Sequence, residues 1–317
     1  ASFKDYGKLS RRSRKEMIAG ARVEVAPYKE DPGDFVLWKP SDAGQPGWDS
    51  PWGRGRPGWH IECSAMSEAH LGPHFDIHGG GVDLVFPHHE NELAQSVCAH
   101  AGEPFVNFWV HNGFLSVDST KMSKSLGNFV TAHEVLKEWP GEVVRLALLS
   151  SHYRDPLDWT EERLQQAKQT LDRWYRALGT DSREFDTVKA MLILSEEGFI
   201  LDEVRESLRD DLNAPLAITQ LHGLAGRVHR CDDHNERILT RAKLTASGRI
   251  LGLLEKSPDE WLRGEEIDGG AIDERVASRA QARKERRFAE ADRIRDELAA
   301  DGIILEDGPG GTTWRRG

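Results

Sequence analysis

Lys121 and Lys124 lie in the segment Lys121-Met122-Ser123-Lys124-Ser125-Leu126-Gly127-Asn128. Two ammonium groups in a small, polar, Gly-ended loop suit the neutralisation of a nucleotide triphosphate. Upstream, Cys63 in Gly58-Trp59-His60-Ile61-Glu62-Cys63 offers a thiolate, and His88 and Glu92 follow Pro87 at i and i+4, on one face of a helix expected to begin there. These are three ligands of zinc type. Leu93 stands where the H-E-x-x-H pattern starting at His89 needs its second histidine, so the metalloprotease pattern is broken. Taken alone, the lysines also fit a solvated surface loop, and Cys63, His88 and Glu92 also fit a buried cysteine beside a capped helix with a polar first turn.

The elements that must position these residues follow from punctuation and periodicity. From Asp34-Phe35-Val36-Leu37-Trp38 to Phe114-Leu115-Ser116-Val117, short apolar runs alternate with Gly/Pro loops and helical segments, which predicts an α/β layer. The Gly-rich loop Gly79-Gly80-Gly81-Val82-Asp83 would let backbone approach a ligand closely, with Asp83 as acceptor from a ribose; a plain turn is the alternative. After Asp155-Pro156 the pattern becomes helical. Thr160 is an N-cap with Glu161 and Glu162 behind it, and Leu164, Ala167, Leu171, Trp174 and Leu178 form an apolar stripe. Further helices are expected around 186–209, 215–230 and 239–255, then a linker at 264–270, a helix to about Ala300, and a terminal hairpin joining Ile303-Ile304-Leu305 to Thr312-Thr313-Trp314 through Asp307-Gly308.

At 317 residues the chain exceeds the size at which one core keeps growing, so two or three domains are expected. No apolar run reaches membrane length, and no secretory pattern is present. Three cysteines, Cys63, Cys98 and Cys231, cannot complete a disulfide framework, which suits a reducing, cytoplasmic setting. A net charge of −11 is awkward for an RNA-binding protein, yet residues 275–295 hold eight basic against three acidic side chains. There Arg275, Arg279, Arg283 and Arg287 recur every four residues along one helical stripe, suited either to phosphates or to a salt-bridged surface.

KMSKS resembles the second signature of the class I aminoacyl-tRNA synthetases. Together with Cys63, His88 and Glu92, with Asp211-Leu212-Asn213, and with Leu305-Glu306-Asp307-Gly308-Pro309 followed by Trp314, the chain resembles the cysteinyl-tRNA synthetase family over nearly its whole length. That resemblance implies the second half of a class I Rossmann-type catalytic domain, a helical bundle and a small α+β anticodon-binding domain. The expected boundaries are 1–28, the remnant of an insertion or connective segment; 29–117, catalytic with the zinc site; 118–155, the KMSKS loop and stem-contact region; 156–263, a tRNA-binding bundle; and 271–317, anticodon-binding.

The resemblance also implies ATP-dependent attachment of L-cysteine to tRNA(Cys) through cysteinyl adenylate, with ATP and Mg2+ as substrate. Lys121 and Lys124 would stabilise phosphate charge, His78, Gly81 and Asp83 would line the ATP site, and Trp59 would wall the amino-acid pocket. One Zn2+ would be held by Cys63, His88 and Glu92, its fourth protein ligand missing from this chain. Arg279, Arg283, Trp314 and Arg315 would meet tRNA. Residues 1–60 contain neither a HIGH-type tetrapeptide nor the family's further cysteine. The expectation is therefore the C-terminal two-thirds of such an enzyme, inactive alone, with the N-terminal portion as a separate partner fragment. The alternatives are a non-catalytic tRNA-binding fragment and a ligase joining cysteine to an amino sugar in mycothiol synthesis.

Overall fold

A computed structural model describes residues 3–13, 33–122, 129–263, 269–308 and 311–316. Lys124 and the rest of 123–128 lie outside the described residues, as do most of the linker expected at 264–270 and most of the segment 1–28. The chain forms two compact units: Ala1–Leu115 with Tyr153–Leu157, and Ser116–His152 with Asp158–Gly317.

In the first unit a short antiparallel ribbon, β1 (Trp38–Pro40) and β2 (Gly55–Pro57), precedes helix α1 (Ile61–Leu71). Strand β3 (Phe75–Gly81) and strand β4 (Val106–Asn112) run parallel, with Ile77 opposite Phe108, His78 opposite Trp109 and Gly80 opposite His111. Parallel neighbours need a crossover. Helix α2 (Glu90–Ala99), which packs against α1, supplies it. The glycines expected in a loop instead complete β3, and Asp83 sits in the 3-10 turn Val82–Leu84 beyond it. Gly80 has a packing reason: a Cβ there would stand 2.8 Å from the His89 ring and 3.0 Å from Leu84. Regular helix begins at Glu90 rather than directly after Pro87, because Phe86 is extended and a wider turn spans Val85–His89.

The segment 153–157 returns to close this unit. Gly113 N donates to the Tyr153 carbonyl at 2.7 Å and Leu157 N to the Phe114 carbonyl at 2.8 Å. Any side chain at Gly113 would run into the Asp155 carbonyl. Ile77 and Phe108, paired in register, are 63% and 65% exposed, so one face of the strand pair carries uncovered apolar surface.

The second unit opens with β5 (Leu115–Val117) and β6 (Thr120–Lys121), followed by α3 (Ala132–Glu138) and α4 (Gly141–Leu149). Strand β7 (Leu157–Trp159) leads into α5 (Glu161–Leu178), where the Thr160 hydroxyl accepts from Arg163 N and the whole stripe Leu164, Ala167, Leu171, Trp174 and Leu178 is buried. The helix expected over 186–209 is broken: α6 (Ser182–Phe199) is kinked at the extended Ser195, and α7 (Asp202–Arg209) follows it. Phe199 and Ile200 turn into a cluster of Val188, Leu192, Ala242 and Ala246, and Leu201 N donates to Ser247 Oγ, which ends the first helix.

Asn213 caps α8 (Ala214–Arg230) by accepting from Leu216 N, with Pro215 in the first turn. Helix α9 (His234–Arg249) starts earlier than its apolar pattern suggested, because Asp233 accepts from Glu236 N. After α10 (Pro258–Arg263), the helix expected to reach Ala300 is broken into α11 (Gly269–Lys284) and α12 (Phe288–Ala300), with Arg286 at φ 62° in the break. The terminal hairpin is present as β8 (Ile303–Gly308) and β9 (Gly311–Arg316).

One carboxylate ties the bundle together. Glu142 of α4 accepts from the Tyr175 hydroxyl at 2.9 Å, from Leu254 N at 2.9 Å and from Glu255 N at 3.2 Å, while Tyr175 stacks on Trp261. Nearby in the core, the buried Trp174 donates its indole N–H to His222 Nδ1 at 3.3 Å. That bond requires an unprotonated Nδ1, and burial, then the charge of Arg173, hold the His222 pKa below the ordinary histidine range. The unfolded chain therefore binds the extra proton. The stabilisation from His222 should be complete above about pH 6.5 and decline as pH falls towards the lower folded value. In urea titrations between pH 7.5 and 5, the stability gap between wild type and His222→Gln should narrow as the solution is acidified.

Candidate functional site

Ligand sites in parallel α/β layers lie beyond the carboxyl ends of the strands. Here β3 ends in Gly79–Gly81 and β4 in His111–Asn112, and α2 begins against them. Four consecutive polar residues at that helix start, His89, Glu90, Asn91 and Glu92, are all buried. His89 Nδ1 lies 2.9 Å from His111 Nε2, its ring packs edge-on to His78 at 4.5 Å, and Trp109 lies against both His78 and His89. Burial, followed by the neighbouring His78, pushes the His89 pKa down to about 4, so the ring is neutral at physiological pH.

Glu90, 0% exposed, accepts from Gly7 N at 2.7 Å and Ser10 N at 2.8 Å, while the Tyr6 hydroxyl donates to Asn91 Oδ1. Burial and the Glu90 charge raise the Tyr6 pKa to about 12, which keeps that donor protonated.

Glu92 belongs to two donor groups. Its Oε2 stands 3.2 Å from His78 Nε2, and ligand atoms of His78, His89 and Glu92 lie within 4.8 Å of one another. Cys63, exposed rather than buried, also faces Glu92: partial desolvation first, then the Glu92 charge and hydrogen bond, push the thiol pKa up. His60 packs on His88 with ring centroids 5.0 Å apart. Among the described residues, Glu92 Oε2 and His60 Nδ1 are buried without a hydrogen-bond partner, with His78 Nε2 3.2 Å from Glu92 Oε2. A thiol, imidazoles and a carboxylate with unfilled lone pairs fit a divalent cation of zinc type. Among the described residues, the compact trio is His78, His89 and Glu92, which shares only Glu92 with the set expected from sequence. Trp59, in the same unit, is 80% exposed, and Asp83 lies beside Gly81.

In the second unit, Lys121 pairs in the sheet with Ser116, and Thr120 with Val117. This fixes the strand from which the lysine loop departs. Of the C-terminal residues expected to meet RNA, Arg279, Arg283 and Trp314 make contacts within their own domain. Arg279, 7% exposed, makes a two-pronged contact with Asp307 at 3.0 and 3.1 Å and reaches Thr312; Arg283 reaches the same carboxylate at 3.1 Å. Trp314 is 4% exposed in a core with Ile272, Val276, Ile294, Leu298 and Ile303; its N–H donates to Asp273, and Arg263 lies over its ring. A buried indole has no free face for a base, and a guanidinium forked onto an internal carboxylate is a fold contact, so Trp314 and Arg279 are structural here. Arg315 lies in β9 opposite Ile304, its side chain outside the described residues.

Sequence reasoning passed over His60, Trp109, His111, Glu90 and Asn91. Trp109 and His111 share one face of β4 by strand alternation, a signal that was present; Glu90 and Asn91 are recognisable only once residues 6–10 are seen against them.

Residues 1–169 match the family described as tRNA synthetases class I (C) catalytic domain, and the chain belongs to that family. Residues 203–255 match the DALR domain and 271–315 the cysteinyl-tRNA ligase anticodon binding domain. Among similar proteins are the cysteine–tRNA ligases of Paramagnetospirillum magneticum, 59% identical over 99% of this chain and 67% of that protein, and of Parvibaculum lavamentivorans, 57% identical over 99% and 66%. The ligase of Xanthomonas campestris pv. campestris is 53% identical over 100% of this chain and 67% of its own length. The chain thus spans about two-thirds of the length of these relatives.

The Glu90 contacts carry a direct expectation. Hydrogen bonds to a charged acceptor contribute about 1.5–3 kcal/mol each. Glu90→Ala should therefore accelerate amide exchange at Gly7 and Ser10 on the order of tenfold or more, with Glu90→Gln intermediate because its amide offers a single acceptor oxygen. Unchanged exchange at both amides would show that the turn is held by other contacts.

Proposed function

We propose that this chain serves in the ATP-dependent attachment of L-cysteine to tRNA(Cys), contributing part of the catalytic site together with the helical and anticodon-binding domains of a cysteine–tRNA ligase. The observation that carries the reading is identity of 53–59% to such ligases across essentially the whole chain. The match of 271–315 to an anticodon binding domain favours tRNA over an amino sugar as acceptor.

The cysteine carboxylate attacks the α-phosphorus of ATP, pyrophosphate leaves, and a hydroxyl at the 3′ end of tRNA then displaces AMP from the adenylate. No covalent nucleophile is required from the protein, so its work is positioning and charge stabilisation. Lys121 and Lys124 act on phosphate charge, and the strand ends at Gly81, with Asp83 and His78, line the nucleotide side. Trp59 contributes to the amino-acid pocket. RNA contact from the C-terminal domain falls to Arg283, 52% exposed at its side chain, and Arg315 rather than to the buried Arg279 and Trp314.

Zinc would be held by Cys63, His88 and Glu92. When bound, it supplies a soft Lewis acid that takes the substrate thiolate and rejects serine's harder hydroxyl, a discrimination that an apolar pocket cannot make. The protein's own residues meanwhile hold Glu92 in place through α2 and keep His89 neutral.

Two outcomes check this reading. Zinc content measured by plasma mass spectrometry should fall in Cys63→Ala and His88→Ala but persist in His78→Ala; the opposite pattern would assign the ion to His78, His89 and Glu92. In the complete ligase, Lys124→Ala should lower cysteine-dependent ATP–pyrophosphate exchange by about 100-fold or more while tRNA affinity stays within about twofold, as expected for loss of one preorganised donor. Normal exchange with lost tRNA binding would reverse the assignment.

A further inference from the structure

Val117 and Thr120 face each other across a two-residue loop, Asp118-Ser119, in which both residues are left-handed, at φ 47° and 61°. Such hairpin loops need positive φ at both positions, which Asn-Gly adopts readily and Asp-Ser does not, because a Cβ is crowded there. The sequence therefore does not hold this turn by itself.

The carboxylate of Asp158 holds it. Oδ1 accepts from Ser116 Oγ at 2.6 Å and Ser119 N at 2.8 Å, and Oδ2 lies 3.1 Å from both Ser119 N and Ser119 Oγ. The backbone from Asp158 onward is fixed in turn. Arg163 Nε donates to the Asp158 carbonyl at 3.0 Å, and Asp118 N lies 3.4 Å from the Trp159 carbonyl. The Ser116 and Ser119 hydrogen bonds, taken in that order, also hold the Asp158 carboxyl below the usual carboxylate range.

We propose that Asp158 is a positioning residue for β6, the strand on which Lys121 lies, its carboxylate clamping the Asp118-Ser119 turn left-handed and so fixing the register in which Lys121 pairs with Ser116. The inference rests on the reading that Lys121 and Lys124 act on nucleotide phosphates. A slip of one residue in this register would turn Lys121 to the opposite face of the sheet.

ATP–pyrophosphate exchange by the complete ligase tests it. Asp158→Ala should lower kcat/KM for ATP on the order of ten- to a hundredfold, the scale of a misplaced catalytic group, with KM for cysteine and the melting temperature little changed. Installing Asp118→Asn with Ser119→Gly, which favours the same turn without the clamp, should restore most of that loss and leave the otherwise wild-type enzyme unaffected. If Asp158→Ala is not obtained folded, Asp158→Asn, with a single acceptor oxygen, should show a smaller loss with the same rescue. A silent Asp158 variant, or a loss that the Asn-Gly turn fails to restore, overturns the positioning role. Unimpaired exchange in both Lys121→Ala and Lys124→Ala would instead overturn the phosphate reading, whatever the Asp158 variants do.

Discussion

Burial of four successive polar side chains, His89 to Glu92, at the start of a crossover helix constrains the whole first unit. A buried carboxylate or amide needs its partners inside the protein, since leaving one unmet costs about 1–3 kcal/mol and more if charged. The partners come from far along the chain: residues 6, 7 and 10 for Glu90 and Asn91, and His111 on β4 for His89, while His78 and Cys63 lie beside Glu92. Gly80 is glycine because His89 must pack against its strand. Strand ends, helix start and N-terminal turn are thus specified by one polar layer.

Carboxylates recur as staples for irregular backbone. Glu90 gathers the turn at residues 7–10, Glu142 gathers the chain at Leu254-Glu255, and Asp158 gathers the Ser116–Ser119 hairpin. In each case one anionic group satisfies two or more donors at a turn or chain reversal.

Much of this was legible in the sequence, for physical reasons that differ by residue. Thr160, Asn213 and the stripe from Leu164 to Leu178 act locally, so cap chemistry and 3.6-residue periodicity foretell the helices. The break at Ile200-Leu201 was not legible, because it depends on a cluster formed with Ala242 and Ala246. The arginines of α11 look like a phosphate-binding stripe until Asp307 and Asp301, on later elements, are seen to face them. Trp314 reads equally as a stacking platform or a core ring, and only the packing of Ile272, Leu298 and Ile303 decides between them. At the candidate site Cys63, His88 and Glu92 stood out by residue type, whereas Glu90 and Asp158 did not, since a positioning carboxylate resembles any other surface acid until its donors are known.

The first unit is discontinuous in sequence, and that has a consequence for how it is made. Its closing segment, 153–157, follows an excursion of the chain through α3 and α4. During synthesis the bonds from Gly113 to Tyr153 and from Leu157 to Phe114 have no partner until that excursion has left the ribosome. The length of the detour matters little thermodynamically, since closure entropy grows only with the logarithm of loop length. It matters for order: the first unit completes its ladder only after part of the second has emerged, so the two mature as interleaved folding steps rather than in N-to-C succession.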